Sequence, residues 1–307
     1  MGKYLVPMLV EAGHTVVATT RSADRAVAIR AMGAEPAVMD GLDRDSVRRA
    51  VLQAEPEVVL HQLTALTTKF DLKHFDRTFA VTNRLRTEAT DHLVEAAQDA
   101  GAKRLVAQSY AGWNQERSGA SVKDESAPLD PHPAKGSEQT MAAIRHLEEV
   151  VTTAPGLTGV VLRYGGFYGP GTSLSIGGDM IEPVRNRQFP VVGTGAGMWS
   201  FIHIEDAARA TLSALDHGET GIYNIVDDEP APVGEWLPYL AKAIGAKPPR
   251  HYPVWVARQL IGEMGISVME QTRGASNTKA KRELEWSPRY ASWRQGFRSG
   301  LSLPGAA

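Results

Sequence analysis

Cysteine is absent from all 307 residues. Its absence excludes disulfides, thiolate-bound zinc and a thiol nucleophile, and it suits a reducing, cytoplasmic setting. No apolar run approaches the roughly 20 residues that span a bilayer. The short stretch VPMLV near the start is followed at once by Glu11 and His14, which is too little for the core of a secretory signal. An excess of either charge is also lacking: 33 Lys and Arg against 35 Asp and Glu give a net −2. No basic field therefore draws nucleic acid or an anionic membrane surface. There is no internal repeat or low-complexity tract, and no His, Asp and Glu spacing that suggests a metal site. What is present is ordinary: 43% hydrophobic and 22% charged residues, ample for one large domain with a smaller lobe, or for two domains.

A further absence lies at the N-terminus. Residues 3–12 read as a helix, Gly13-His14 as a turn and residues 15–20 as a strand ending at Arg21-Ser22. These form the second half of a βαβ dinucleotide-binding unit. The first half, a buried strand and a glycine-rich turn whose amides hold a pyrophosphate, has no counterpart in the sequence. The expectation is that this chain is a fragment of a slightly longer protein, whose reading frame continues upstream into that strand and two more glycines.

Downstream, strand and helix alternate. Helices are expected at 23–32, 43–54, 76–100 and 138–153, and strands at 36–39, 58–64, 104–109 and 159–164. That alternation predicts an α/β fold, a Rossmann-like doubly wound parallel sheet with a small C-terminal substrate lobe. Residues 111–137, rich in Gly, Pro, Ser and charge, read as a long functional loop. Later strands are expected near 189–192, 200–204 and 222–226, and helices near 205–216, 233–244 and 253–263. The division expected is 1–170 for a dinucleotide domain and 171–307 for the lobe, with 199–226 returning to the main sheet.

Several segments carry a resemblance. They are the opening helix–turn–strand, KRLVAQS at 103–109, VVLRYGGFYGPGT at 160–172, WSFIHIEDAARATLSAL at 199–215, GIYNIVDDEPAPVGEWL at 221–237 and SNTKAKRELEWSPRY at 276–290. In order and spacing they resemble the NAD-dependent epimerase/dehydratase family, the extended short-chain dehydrogenases/reductases. On the cofactor side the resemblance makes Gly2 the third glycine of a GxxGxxG motif. Where an acidic residue would bind the ribose 2′-hydroxyl of NAD, this chain has Thr20, Arg21 and Ser22. A guanidinium there suits a 2′-phosphate and favours NADP, with NAD as the alternative. By the same resemblance Asp40 and Leu42 border the adenine, and Gln62, Leu63 and Thr64 lie under the cofactor. Asn83 follows on the next helix, and Arg163, Tyr164, Gly165 and Phe167 line the nicotinamide.

On the catalytic side the family uses Ser or Thr with Tyr and Lys, the last two four apart on one helix face and followed four residues later by Glu. Anchoring on Glu148 puts Thr140 and Ile144 at the Tyr and Lys positions; anchoring on Glu149 gives Met141 and Arg145. Either way the phenol is missing. The nearest substitutes are Tyr110 at the end of the fifth family strand, Ser109 beside it, and Tyr164. His61 reads as a core histidine, and His203 and Asp206 as capping groups. Tyr168 reads as structural. Asp124-Glu125 and Asp227-Asp228-Glu229 read as solvated, and Trp113, Trp199 and Phe167 as the floor of an aromatic pocket.

Three functions compete. The first is an atypical NADP-dependent oxidoreductase reducing a ketone on a small or aromatic substrate. The second is a sugar-nucleotide epimerase or dehydratase, with Arg185, Arg187 and Arg273 as charges for a diphosphate. The third is a non-catalytic dinucleotide sensor. A homodimer through 76–100 and 138–153 is the expected assembly.

Overall fold

Helix α1 (Gly2–Glu11), β1 (Val17–Thr20), α2 (Ala26–Ala31), β2 (Glu35–Val38), α3 (Arg44–Ala54) and β3 (Val58–His61) follow one another as the alternating pattern implies. The computed structural model describes residues 1–66 and 71–302. Local sequence accounts for α3. The Asp43 carboxylate accepts from the Asp45 and Ser46 amides at 3.0 and 3.1 Å, capping the first turn. Val47 and Val51, four apart, bury one face.

The expected helix over 76–100 is instead three: α4 (Phe75–Thr78), α5 (Ala80–Arg86) and α6 (Glu88–Asp99). The break between α5 and α6 falls at Thr87, with φ −100° and ψ −82°. Its hydroxyl donates back to the Asn83 carbonyl at 3.1 Å, a local bond that bends helices. β4 (Arg104–Tyr110), β5 (Val122–Lys123), α7 (Glu138–Thr153), β6 (Thr158–Tyr164) and β7 (Gly166–Tyr168) come next. The second half holds α8 (Ile181–Arg185), β8 (Val191–Val192), β9 (Met198–Trp199), β10 (Phe201–His203), α9 (Ile204–Ser213) and β11 (Gly221–Ile225). It closes with β12 (Ala231–Pro232), α10 (Val233–Ala243), β13 (His251–Tyr252), α11 (Val254–Glu270), β14 (Gly274–Ala275), α12 (Thr278–Glu283) and α13 (Trp293–Ser299). Among the described residues no helix is long and apolar enough to cross a membrane.

The central sheet is parallel, in the order β11-β6-β4-β3, and β1 and β2 form a second parallel ladder. Among the described residues β1 and β3 are each hydrogen-bonded on one side only. Side chains alternate across a strand, and the two faces bury different layers. Leu105, Ala107 and Val161 pack with α6 and α7, whereas Val106, Val160, Leu162 and Tyr164 pack with Ala207 and Ala210 of α9. The C-terminal lobe has its own aromatic core of Trp236, Trp293, Phe201, Phe297 and Tyr168, tied to the sheet's end by the β10–β7 pair.

Residues 111–137 are held more firmly than a long polar loop implies. Asn114 and Gln115 are fully buried, and β5 pairs with β14. Glu125 is not solvated as expected: its Oε1 accepts from the Asn224 amide at 2.7 Å on the edge strand β11.

Asp227 also departs from the solvated reading. It is buried, and its Oδ2 has no hydrogen-bond partner among the described residues. Burial, with repulsion from Glu229 and Asp228, pushes its carboxyl well above the usual range. A carboxyl raised by folding contributes its stability below the unfolded value near 4 and loses it as pH rises through the folded value. Asp227→Asn removes that dependence. In urea unfolding between pH 5 and 8, the stability of the variant relative to wild type grows by about 1 kcal/mol per pH unit while the native carboxyl stays protonated. A gap that does not change with pH contradicts this.

Candidate active site

The carboxyl ends of β3, β4 and β6 form one rim, and ligands of an open doubly wound sheet bind outside such ends. Gln62, Leu63 and Thr64 follow β3, Tyr110 closes β4, and Tyr164 closes β6 opposite it in register. Near this rim several buried polar atoms lack a hydrogen-bond partner among the described residues, among them Gln62 Oε1, Asn83 Oδ1 and Arg86 Nη1. Each unpaired group costs about 1–3 kcal/mol. A polar ligand with amide and hydroxyl donors, as a nicotinamide dinucleotide has, fits the two acceptors Gln62 Oε1 and Asn83 Oδ1.

Beneath the rim, the helix face of the sheet is closed by a buried ionic network. Glu148 of α7 takes Arg163 Nε and Nη2 at 2.7 and 2.6 Å and the Ser109 hydroxyl at 2.7 Å. Glu148 and Arg163 are 4% and 2% exposed, so the pair is screened from water. This corrects two expectations. Ser109 spends its proton on Glu148 and is not free to orient a substrate. Arg163 is clamped inside the sheet, not held out toward a cofactor.

The same network bears on the two alignments of α7. Glu148 is buried while Glu149 is exposed; the Glu148 anchor is the one that sets Thr140 and Ile144 at the expected Tyr and Lys positions. Thr140 is fully buried, donates to Asp76 Oδ1 at 2.6 Å and accepts from Asn83 Nδ2 at 3.0 Å. Ile144 is fully buried as well. Neither position of α7 brings a phenol or an ammonium group to the rim.

Of the expected substitutes, Tyr164 is corrected by its surroundings. It is 2% exposed, its hydroxyl meets Thr211 of α9 at 2.6 Å and receives Gln62 Nε2 at 3.3 Å. With its hydroxyl held by these two neighbours it is a packing group, and burial pushes its phenol up to about 12. Gly165 is fixed by close approach, since a Cβ there would lie 2.7 Å from the Ser200 carbonyl. Phe167 is half-buried with its ring 5.3 Å from that of Tyr164.

Tyr110 is different. Burial raises its phenol to about 12, opposed by the nearby Arg86 charge. Its ring lies 6.3 Å from Trp113. Gly112, at φ +148°, turns the chain across it, and a Cβ there would meet the ring at 3.1 Å. Trp113 does flank the rim, but Trp199 stacks on Trp236 at 4.8 Å and donates to the Val268 carbonyl at 2.9 Å. Trp199 therefore belongs to the lobe core and not to a pocket floor.

Most of the remaining candidates lie apart from these strand ends. Gly2 opens α1, and the space where its side chain would be is empty to 4 Å. Thr20 and Ser22 bond to each other across an exposed Arg21, with the Thr20 hydroxyl 3.2 Å from the Ser22 amide. Asp40 turns its carboxylate onto the Leu42 amide at 3.0 Å. Leu63 and Thr64 are half-buried and exposed. His61 is buried against Thr90 at 3.1 Å, and burial lowers it to about 4, so it is neutral core. His203 and Asp206 cap and orient: His203 Nδ1 takes the Glu205 amide at 3.3 Å, and Asp206 takes the Arg289 and Tyr290 amides at 2.9 Å. The arginines suggested for a diphosphate do not converge. Arg185 pairs with Glu182, Arg187 donates to the Pro248 carbonyl and Arg273 to the Arg117 carbonyl.

Sequence reasoning passed over Arg86. The available signal was its spacing: it stands four residues from both Thr82 and Thr90, on the stripe where α5 and α6 bury their side chains. An arginine there breaks the pattern.

A parallel doubly wound sheet with this rim defines a dinucleotide-dependent enzyme class, and the comparisons agree. The NAD dependent epimerase/dehydratase family model matches residues 1–226, and the chain belongs to that family of NAD-dependent oxidoreductases and epimerase-like enzymes. It is 43% identical over 298 residues to a 3-diazoavenalumate denitrifying reductase of a Streptomyces species, covering 97% of this chain and 95% of that one. It is 27% identical to a 4-hydroxy-2-methyl-3-oxo-4-farnesyl-3,4-dihydroquinoline-1-oxide ketoreductase of Stigmatella aurantiaca, over 80% of this chain and 71% of that one. In fold it is similar to the UDP-glucose 4-epimerase of Thermotoga maritima, solved with UDP-glucose, at TM-score 0.73 and 22% identity, covering 98% and 94% of the two chains.

Proposed function

We propose that this enzyme is an NADPH-dependent reductase that passes hydride to the electron-poor carbon of a small aromatic diazo acid and releases dinitrogen. The observation that supports the reading is on α7, where Thr140, bonded to Asp76, and Ile144 are both buried; we take these as the positions at which the family carries its proton-delivering pair. A diazonium carbon needs no proton. Its carbon–nitrogen bond breaks with the electron pair leaving in N2, and the hydride pair makes the new C–H bond. The sum is R–N2⁺ plus hydride giving R–H plus N2. The reduced nicotinamide supplies the hydride when bound. What this chain supplies is orientation and polar anchors. The relative named for denitrifying a diazo acid, at 43% identity, supports the same class.

In this reading residues 1–170 hold the dinucleotide, and 171–307, apart from 199–226, shape the substrate pocket. Gly2 at the start of α1 lies by the pyrophosphate. Thr20, Arg21 and Ser22 receive the 2′-phosphate, Asp40 and Leu42 border the adenine, and Gln62, Leu63, Thr64 and Asn83 lie along the inner half. Arg21→Ala is expected to weaken NADPH about tenfold, the value of a solvent-facing charge-assisted bond, and to leave NADH unchanged. Equilibrium titration of cofactor fluorescence measures both; equal losses for the two cofactors contradict the assignment.

Ketone reduction is the second reading. It is favoured by Tyr110, whose phenol is the one candidate acid at the end of β4, and by the relative named as a ketoreductase. Paired substrates separate the two: a diazonium aryl acid and the corresponding aryl ketone, each with NADPH. The first reading expects one N2 per NADPH oxidised, read by membrane-inlet mass spectrometry. Alcohol from the ketone without N2 from the diazo acid selects the second. Oxidation with neither, in protein that binds NADPH, overturns both.

A further inference from the structure

Arg86 lies on the inward stripe of α5 and α6, between two threonines fastened to the end of β3. Thr82 Oγ1 accepts from the Ala65 amide at 3.2 Å, and Thr90 Oγ1 bonds His61 Nε2 at 3.1 Å. The guanidinium between them acts electrostatically on His61, Tyr110 and Glu148, which sets it where β3 and β4 end. His61, neutral in its buried setting, offers it no negative charge. Glu148 does not pair with it either, because both carboxylate oxygens are held by Arg163 and Ser109. Arg86 Nη1 is buried and has no hydrogen-bond partner among the described residues.

A guanidinium keeps its charge, even with burial drawing Arg86 down to about 10. A buried cation without a partner is costly, and an oxyanion is the partner that best relieves it. Tyr110, the neighbouring phenol, stays protonated and can donate.

We propose that Arg86 Nη1 and the Tyr110 hydroxyl together form the receptor for a substrate oxyanion, a carboxylate or a phenolate. The inference deepens the reductase reading and rests on it for the substrate, while its test reads binding and not turnover. Arg86 thereby supplies from α5 the positive charge that Ile144 of α7 does not carry.

Trp113, with its ring 6.3 Å from Tyr110, gives the optical signal. The NADP⁺-loaded protein is titrated with 4-hydroxycinnamate, with its methyl ester, which lacks the carboxylate, and with 4-methoxycinnamate, which lacks the phenol. Wild type is expected to bind 4-hydroxycinnamate and to lose affinity for one of the two blocked compounds, which tells carboxylate from phenolate. Arg86→Leu is expected to weaken the compounds that keep the oxyanion by about 30-fold and to leave the blocked one as it is in wild type. Arg86→Lys recovers part of the loss and guards against a folding defect, with NADP⁺ affinity as the check. The proposal is overturned if Arg86→Leu binds all three as wild type does, if it loses all three equally, or if wild type binds none. Loss of N2 release with intact oxyanion binding would instead count against the reductase reading alone.

Discussion

Glutamine in place of Glu148 lowers the unfolding free energy by about 3–5 kcal/mol, the cost of leaving one partner of a buried pair uncompensated. The carboxylate receives three donors, two from Arg163 and one from Ser109. Among the described residues Arg163 Nη1 already lacks a partner and none offers the guanidinium a second acceptor. A neutral amide offers one oxygen where two were used, and its NH2 faces donors. The double variant Glu148→Leu with Arg163→Met is expected to recover most of the loss, since removing both charges leaves nothing to desolvate. Urea unfolding of wild type and the two variants measures this. A single variant within about 1 kcal/mol of wild type would mean that the pair is not buried in solution as it is here.

Tyr110→Phe is the second large effect, and its size depends on the chemistry. If a carbonyl oxygen takes its proton from Tyr110, loss of the phenol costs about 10²–10⁴-fold in kcat. If a diazonium carbon takes only hydride, the phenol helps to hold the substrate, and the cost in kcat is less than about tenfold, with most of the effect in KM. Burial raises Tyr110 to about 12, so its ionisation leaves no step in the rate between pH 6 and 9 under either chemistry. Parallel kcat and KM values for the two substrates decide. A hundredfold loss of kcat on the diazo acid contradicts the direct route.

Much of the fold was legible because hydrophobic period and capping act locally. The helix over 43–54, the strand at 104–109 and the helix at 138–153 lie where residue pattern alone places them. The break at Thr87 was not legible, because a threonine hydroxyl bonding back to Asn83 competes with the helix without altering its period. On the candidate site, neither of the two alignments of α7 gave a phenol, and the burial of Thr140 and Ile144 bears on the positions of the first. The partners were not legible. That Ser109 and Arg163 turn inward to Glu148 depends on the register between β4 and β6 and on the depth of α7, and one sequence fixes neither. Asp227 and Glu125 looked solvated because charge runs usually are. The burial of Asp227 and the bond of Glu125 to β11 follow from the lobe and from residues 111–137 folding back on that strand, contacts distant in sequence. Arg86 needed both levels, a position on a helix stripe and the discovery that every nearby anion is already taken.

The central claim is that hydride passes straight to carbon with no proton from the protein. It is tested by reducing the diazo acid with NADPH dideuterated at C4 of the nicotinamide in ordinary water, and with unlabelled NADPH in D2O. The account predicts product one mass unit heavier in the first experiment and unlabelled in the second. Deuterium entering carbon from D2O, with none from the cofactor, would show a protonation step and contradict it.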